Sequence, residues 1–373
     1  MPDSIRHPDL VPALYQLRGK LQSGTISKTG LEISPGTLDS GFRRNDAFLF
    51  ESFAKKEEFD QTKKEHMVGN CYKKISRRQF LKTAAVGIAL GAAAGPLEAK
   101  EDYDLVAISG EPAAATRKAL EAMGGISRFV KKGQRVVLKP NMSFSRTPDF
   151  SATTHPLVVA TVAQACMEAG AKQVLILDHT LQRPEPCLER TGIREACKDI
   201  SGVHVLALQD KKFYREIKIP QGKVLQRVEV IKEVLDSPVL INIPVAKSHS
   251  ATGVSMGMKG LMGLIWDRES FHSQYNMNQA IADLGTVIKP QLTLLDATRA
   301  LASGGPGGPG EVKRPNLVIA GTDPVAVDSY GVSIVPWYGQ HFKGRQVEHL
   351  LAAHQRGLGK IDLDQLKIFK EKA

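Results

Sequence analysis

Apolar runs in this 373-residue chain repeatedly end on side chains that can hold or move charge. Val136-Val137-Leu138 runs into Lys139-Pro140-Asn141, and Val174-Leu175-Ile176-Leu177 into Asp178-His179. Leu240-Ile241 leads to Asn242 and on to Lys247-Ser248-His249, and Leu292-Thr293-Leu294-Leu295 ends at Asp296. Lysines can clamp a phosphate or carboxylate. A histidine titrating near neutrality can transfer protons, and carboxylates can orient bases or bind a hard divalent ion. Any one of these residues could be an ordinary turn or helix cap. Their recurrence after several strands points to one shared crevice, because ligands of parallel α/β sheets bind at the strands' carboxyl ends.

The segment 243–265 is the densest in such residues. It carries Gly253, Gly257, Gly260 and Gly263 with Lys247, His249 and Lys259. Glycines let a backbone approach a ligand, and amides at a helix start bind anions. The competing reading is tight packing through small residues, with Met256, Met258 and Met262 in the core. Lys247 and His249 fit that reading poorly, since a buried charge needs a partner. A second glycine-rich piece, 304–310, must be a loop and puts Gly304 and Gly305 among the expected substrate contacts. Asp323 reads as an N-cap ahead of Pro324. Asp328, one turn further on, faces inward towards a lysine or a metal. Asp178, Asp296 and Asp328 together form the expected divalent-metal set, although oxygen-ligand spacing is not diagnostic. His155, before Pro156, reads as part of a helix start. The chain has no G-x-S-x-G elbow, Walker loop, G-x-G-x-x-G after a strand or H-E-x-x-H, which excludes the easily read hydrolases, P-loop enzymes and zinc proteases.

The elements that must position these residues follow from periodicity. Strands are expected at 105–109, 136–139, 174–177, 204–207, 239–243, 292–296 and 317–320, with a last one near 366–369. Helices are expected at 112–123, 155–169, 191–200, 278–288, 324–332 and 345–355. A β-rich excursion at 213–231 holds two strands around Pro220-Gln221-Gly222. After 243 a long loop is expected to run into a helix at 257–265. Continuous apolar strands alternating with helices predict an α/β fold, Rossmann-like and three-layered, its mainly parallel sheet covered on both faces.

Composition narrows the partners. The chain has 50 Lys+Arg against 39 Asp+Glu and a net charge of +11. A basic surface favours anionic partners, but there is no basic run interleaved with aromatics, so nucleic acid is not expected. Of four cysteines, Cys71 precedes the folded region, and Cys166, Cys187 and Cys197 form no C-x-x-C. No iron–sulfur cluster is therefore expected from this chain. Cys187 and Cys197 could pair in an oxidising compartment or remain core thiols.

Ser76-Arg77-Arg78-Gln79-Phe80-Leu81-Lys82 is a complete twin-arginine motif. An apolar, Ala/Gly-rich run of about 15 residues follows, short of the ~20 that a membrane span needs. Leu97-Glu98-Ala99 offers a cleavage site. Residues 67–99 are thus expected to be a signal peptide read by the twin-arginine export machinery. Residues 100–373 are expected to be a single folded domain in the periplasm, or one anchored by an uncleaved signal. Residues 1–66 read as an extension without a fold, because Met67 would begin a normal short leader.

The pieces around the polar strand ends resemble a known family, the domain of unknown function DUF362. They are Val137-Leu138-Lys139-Pro140-Asn141, Thr154-His155-Pro156 with 174–178, 240–249 with Thr252-Gly253, and Met258-Lys259-Gly260-Leu261-Met262-Gly263. Leu295-Asp296-Ala297, Gly304-Gly305-Pro306 and 320–328 complete them, in order, over 105–335. Ser248 stands where the family pattern has Thr, and Gly260 where it has Asn. Many members carry a ferredoxin-like module, whose cysteines this chain lacks. The resemblance implies a fold and a pocket but no established reaction.

The residues and the resemblance together predict an envelope enzyme acting on a small phosphate or carboxylate compound, assisted by a divalent metal. Lys139, Lys247 and Lys259 would clamp the anion beside Asn141, Gly260, Gly304 and Gly305. His249, Lys247 and Asp178 would be the catalytic groups, with His249 as general acid/base. The alternative is a non-catalytic periplasmic ligand-binding protein, or an accessory to a redox partner protein.

Overall fold

A computed structural model describes residues 102–373. The twin-arginine motif, the cleavage site and the 1–66 extension lie outside the described residues. In chain order the elements are β1 Leu105–Ser109, α1 Pro112–Ala122, β2 Arg135–Pro140, α2 Pro156–Glu168, β3 Gln173–Asp178, α3 Pro184–Arg190, α4 Ile193–Cys197 and β4 Val203–Ala207. Then come β5 Tyr214–Lys218, β6 Arg227–Ile231, α5 Lys232–Asp236, β7 Val239–Ile243, β8 Val245–His249, β9 Gly253–Ser255, α6 Gly257–Gly260, α7 Glu269–Ser273 and α8 Met277–Val287. The chain closes with β10 Leu292–Leu301, β11 Val312–Lys313, β12 Leu317–Gly321, α9 Pro324–Val332, α10 Glu348–Gln355 and β13 Ile368–Lys372.

The main sheet has the order β13-β1-β12-β10-β7-β2-β3-β4. Along this path only β12 is antiparallel to its neighbours β1 and β10. The expected α/β fold with a mainly parallel sheet is therefore what the chain adopts. Side-chain alternation divides the core in two. Val106, Ile108, Val136, Leu138, Val174 and Ile176 pack on one face with residues of α1, α2 and α4. Leu105, Ala107, Val137, Leu175, Leu177 and Leu240 pack on the other with α8, α9 and α10. Helices on both faces are why the central strands read as unbroken apolar runs. The 213–231 excursion is the two-stranded antiparallel sheet β5–β6. Among the described residues no helix is long and apolar enough to cross a membrane.

The largest departure from the sequence reading follows β7. The stretch expected to be a long loop contains β8, which pairs parallel with β10 and antiparallel with β9. Its residues Val-Ala-Lys-Ser-His look like a loop but are all buried. Polar side chains at alternate positions still suit a strand when one face looks into a cavity. Strand β10 correspondingly runs to Leu301 instead of ending at Asp296. Short helices α3, α5 and α7 are also additions, each too short to show periodicity. Among the described residues, Cys166, Cys187 and Cys197 are buried free thiols, and burial pushes the Cys166 thiol up to about 12.

Candidate functional site

The carboxyl ends of β2 and β3 meet at an ion pair. Lys139 Nζ lies 3.4 Å from Asp178 Oδ1, and both side chains are essentially without solvent contact. The other carboxylate oxygen accepts from Met142 N and Ser143 Oγ, each at 2.9 Å. Asp178 thereby ties the loop after β2 to the end of β3. Burial is the main cause that lowers the Lys139 pKa, with Asp178 opposing the shift. Thr154 joins the next strand. It accepts from Asn141 N and donates to Ile243 O, each at 2.8 Å.

Strand β8 brings the second group. Lys247 and His249 are two residues apart and so project from the same side of the strand. Lys247 Nζ donates to Ala152 O at 2.6 Å and lies 4.6 Å from the centre of the Phe144 ring. Asn141, in the orientation that satisfies both ends of its amide, accepts from Lys247 Nζ at 3.2 Å and donates to Ala152 O at 3.3 Å. Burial, and then the neighbouring Lys139 and Lys259, hold the Lys247 pKa well below the usual lysine value. His249 Nδ1 accepts from Ala251 N at 3.1 Å. In the neutral ring the proton therefore sits on Nε2. Burial, followed by Lys259 and Lys247, depresses the ring to about 3. The sequence reading took His249 as an acid/base titrating near its ordinary pKa. In its environment it is a neutral N–H donor.

The glycine-rich segment supplies the third cation. Asp328 on α9 accepts from Gly257 N at 2.7 Å and Met258 N at 2.8 Å, and Asn242 Nδ2 donates to Gly257 O at 3.1 Å. These contacts hold α6 in place and with it Lys259, which is 8% exposed. Its ammonium reaches only Met262 Sδ, at 3.7 Å, among the described residues. Burial, Arg268 and Lys139 lower its pKa to about 8. Gly263 is a close approach: a Cβ there would lie 2.8 Å from Lys139 Nζ and strike Asp178 Oδ1. A side chain at this position would separate the ion pair.

These residues line one cavity of about 720 Å³. Lys139, Asn141, Lys247, His249, Lys259 and Gly260 all face it. His179, which the sequence reading named only beside Asp178 at a strand end, also lines it, as do Arg268, Trp266, His272 and Phe144, which that reading missed. Arg268 donates to His179 O at 2.7 Å and Thr180 O at 3.2 Å. No carboxylate lies within ion-pair distance of Lys247, Lys259 or Arg268 among the described residues. A Trp-Asp-Arg run directly after the glycine-rich segment was the available sequence signal for Arg268.

The three aspartates expected to share a metal are not brought together. Asp296 accepts from Thr298 N and Oγ1 with one oxygen and from His155 N with the other. Asp328 is consumed by the α6 amides, and Asp178 by Lys139, Met142 and Ser143. Carboxylates whose oxygens already satisfy buried donors are structural clamps, and among the described residues no three His, Cys, Asp or Glu side chains gather as a metal site. Gly304 and Gly305 do not line the cavity, though Pro306 does. Gly305 packs on the Ser248 backbone and donates its N–H to Ser248 Oγ at 3.0 Å, so the loop supports β8.

Comparison with known proteins adds family and export. A twin-arginine translocation signal matches residues 74–94. The thylakoid-associated protein sll1697 of Synechocystis sp. is 29% identical over 229 residues, covering 59% of this chain and 68% of that protein. Two solved structures resemble parts of the fold. A Thermotoga maritima protein has TM-score 0.36 at 16% identity, covering 50% of this chain and 51% of its own. The lactate racemase apoprotein of Thermoanaerobacterium thermosaccharolyticum has TM-score 0.36 at 15% identity, covering 52% and 51%. The chain thus spans about half the length of these solved proteins. The domain of unknown function DUF362 matches residues 136–333, more than half of the sequence, and the chain belongs to that family.

Proposed function

We propose that this protein is exported by the twin-arginine route to the periplasm, where its cavity binds a small phosphate- or carboxylate-bearing molecule and transfers protons on it. The observation that carries the reading is unpaired positive charge in the cavity, whose lining carboxylates Glu229, Asp267 and Glu269 form no ion pair with Lys139, Lys247, Lys259 or Arg268 among the described residues. Lys139, Lys247, Lys259 and Arg268 converge there, and Asp178 is the one carboxylate paired with any of them. Buried charge without a partner is costly, and an anionic ligand supplies the missing counter-charge. His249 contributes an Nε2–H donor. Lys259, at about 8, is the group able to give and take a proton near neutral pH. Lys139, held by Asp178, is the fixed cation of the site. Asp178, Asp296 and Asp328 are engaged by an ammonium, backbone amides and hydroxyls.

Calorimetric titration of the exported protein with sulfate tests the binding, since sulfate keeps its charge across the working pH range. Lys259 is charged below about 8 and neutral above it. Sulfate affinity is therefore expected to be high at pH 6.5 and to fall as pH rises through about 8. Lys259→Met should weaken sulfate binding by about 10- to 100-fold, the worth of one charged hydrogen bond, and flatten that pH dependence. The same substitution removes an unpartnered buried ammonium, so the ligand-free protein should melt no lower than wild type. Absence of sulfate binding at low salt would refute the anion site. Binding by a protein that turns over no phosphate or carboxylate compound would make it a ligand-binding module.

A further inference from the structure

We infer that the molecule held in this cavity has a flat, aromatic body attached to its anionic group, and that Trp266 and His179 form the wall against which the body stacks. The inference rests on the anion-binding reading and narrows its ligand class.

The cavity's size is the first argument. About 720 Å³ lies in the range of pockets that enclose a whole drug-sized ligand, far more than an isolated oxyanion needs. The lining is divided. Lys139, Lys247, Lys259 and Arg268 provide the cationic part, whereas Phe144, His179, Leu181 and Trp266 provide rings and an aliphatic side chain.

The wall is built to stay in place. The His179 ring stacks on Trp266 with centroids 5.5 Å apart and planes 14° from parallel. His179 Nδ1 is 2.9 Å from Ile265 O, so Nδ1 carries the proton and the ring orientation is set. Tyr214 meets Trp266 edge-on at 5.3 Å, and its hydroxyl donates to Leu208 O at 2.6 Å. Trp266 N donates to Glu229 O at 2.9 Å. The wall is also coupled to the cationic part, because Arg268 donates to the His179 carbonyl. Rigid rings beside a fixed guanidinium suit a ligand whose planar body and anionic group are joined by a short link. Flat surfaces of this kind bind π-faces with little ordering cost.

The test compares three probes on the exported protein by calorimetry: inorganic phosphate, methyl phosphate and phenyl phosphate. Phenyl phosphate is expected to bind about tenfold or more tightly than methyl phosphate, the usual gain from one ring stacked on an aromatic side chain. Trp266→Leu should remove that gain, bringing the phenyl and methyl esters to equal affinity. Equal affinity of wild-type protein for the phenyl and methyl esters overturns the aromatic-ligand inference while the anion site stands. Failure of all three probes to bind overturns both. The wild-type comparison decides the matter even if the Trp266 variant does not fold.

Discussion

Asp178→Ala lowers the stability of this protein by about 3–5 kcal/mol, the cost of leaving a buried charge without its partner. The carboxylate has three dependants: the Lys139 ammonium at 3.4 Å, Met142 N and Ser143 Oγ. Lys139 is 1% exposed, so water cannot replace what is lost. It escapes by losing its proton. Moving from an ordinary 10.5 to neutral at pH 7 costs about 5 kcal/mol at 1.36 kcal/mol per pH unit, which caps the charge part of the loss. The sign of the pH dependence follows. In the variant the unfolded chain holds a proton on Lys139 that the folded chain lacks, so stability rises as pH climbs from 7 towards 10.5. Denaturant unfolding at pH 7 and pH 9.5 measures both effects. A second substitution separates charge from shape. Lys139→Met in the Asp178→Ala background should recover much of the loss, because removing both members of a buried pair is far less costly than removing one. Equal loss in the single and double variants would mean that the Met142 and Ser143 hydrogen bonds, not the ion pair, hold this corner together.

Gly263→Ala is expected to damage the same corner from the opposite side, by ~3 kcal/mol or more. The added methyl would strike Asp178 Oδ1 and sit 2.8 Å from Lys139 Cε and Nζ. The flexible lysine end can yield, but Asp178 is held by two donors and the Gly263 carbonyl accepts from His179 N at 2.8 Å. The ammonium is the group that must move, and it faces the cavity. Sulfate affinity should therefore fall together with melting temperature. Gly260→Ala is the control. A Cβ there has nothing nearer than Pro244 Cβ at 3.9 Å, so stability should hold within about 0.5 kcal/mol. If Gly263→Ala matched this control in both measurements, the close approach at Gly263 would have no energetic consequence.

Much of this site is legible in one dimension. Lys139, Asp178, Lys247 and His249 are noticeable because charge at the end of an apolar run is costly to place anywhere but a functional edge. The parallel sheet then brings those edges together, and Lys139, Asn141, Lys247, His249, Lys259 and Gly260 line one cavity. Strand β8 was hidden because Lys and His at alternate positions look like loop composition. The Lys247 ammonium is met by Ala152 O, Asn141 and the Phe144 ring, each about 100 residues away in sequence. Arg268 and Trp266 were hidden because no strand end marks them, and the Trp-Asp-Arg run that holds them gives no position in the fold. They reach the cavity through hydrogen bonds to the His179, Thr180 and Glu229 backbones.

Local patterns alone determined the export signal, the α/β class and the register of polar residues at strand ends. Each depends on residues close in sequence: a receptor-read arginine pair, a side-chain period of two, a cap before a proline. Tertiary structure alone decided what each polar residue does. Asp178 at the end of β3, Asp296 within β10 and Asp328 within α9 carry identical side chains, and the sequence offered all three as metal ligands. Which donors surround a carboxylate depends on what distant strands and loops bring to it. Here those donors are an ammonium and two loop groups for Asp178, a threonine and the start of α2 for Asp296, and the amides of α6 for Asp328. A buried carboxylate takes the partners nearest to it, because leaving it without them costs more than any single contact returns.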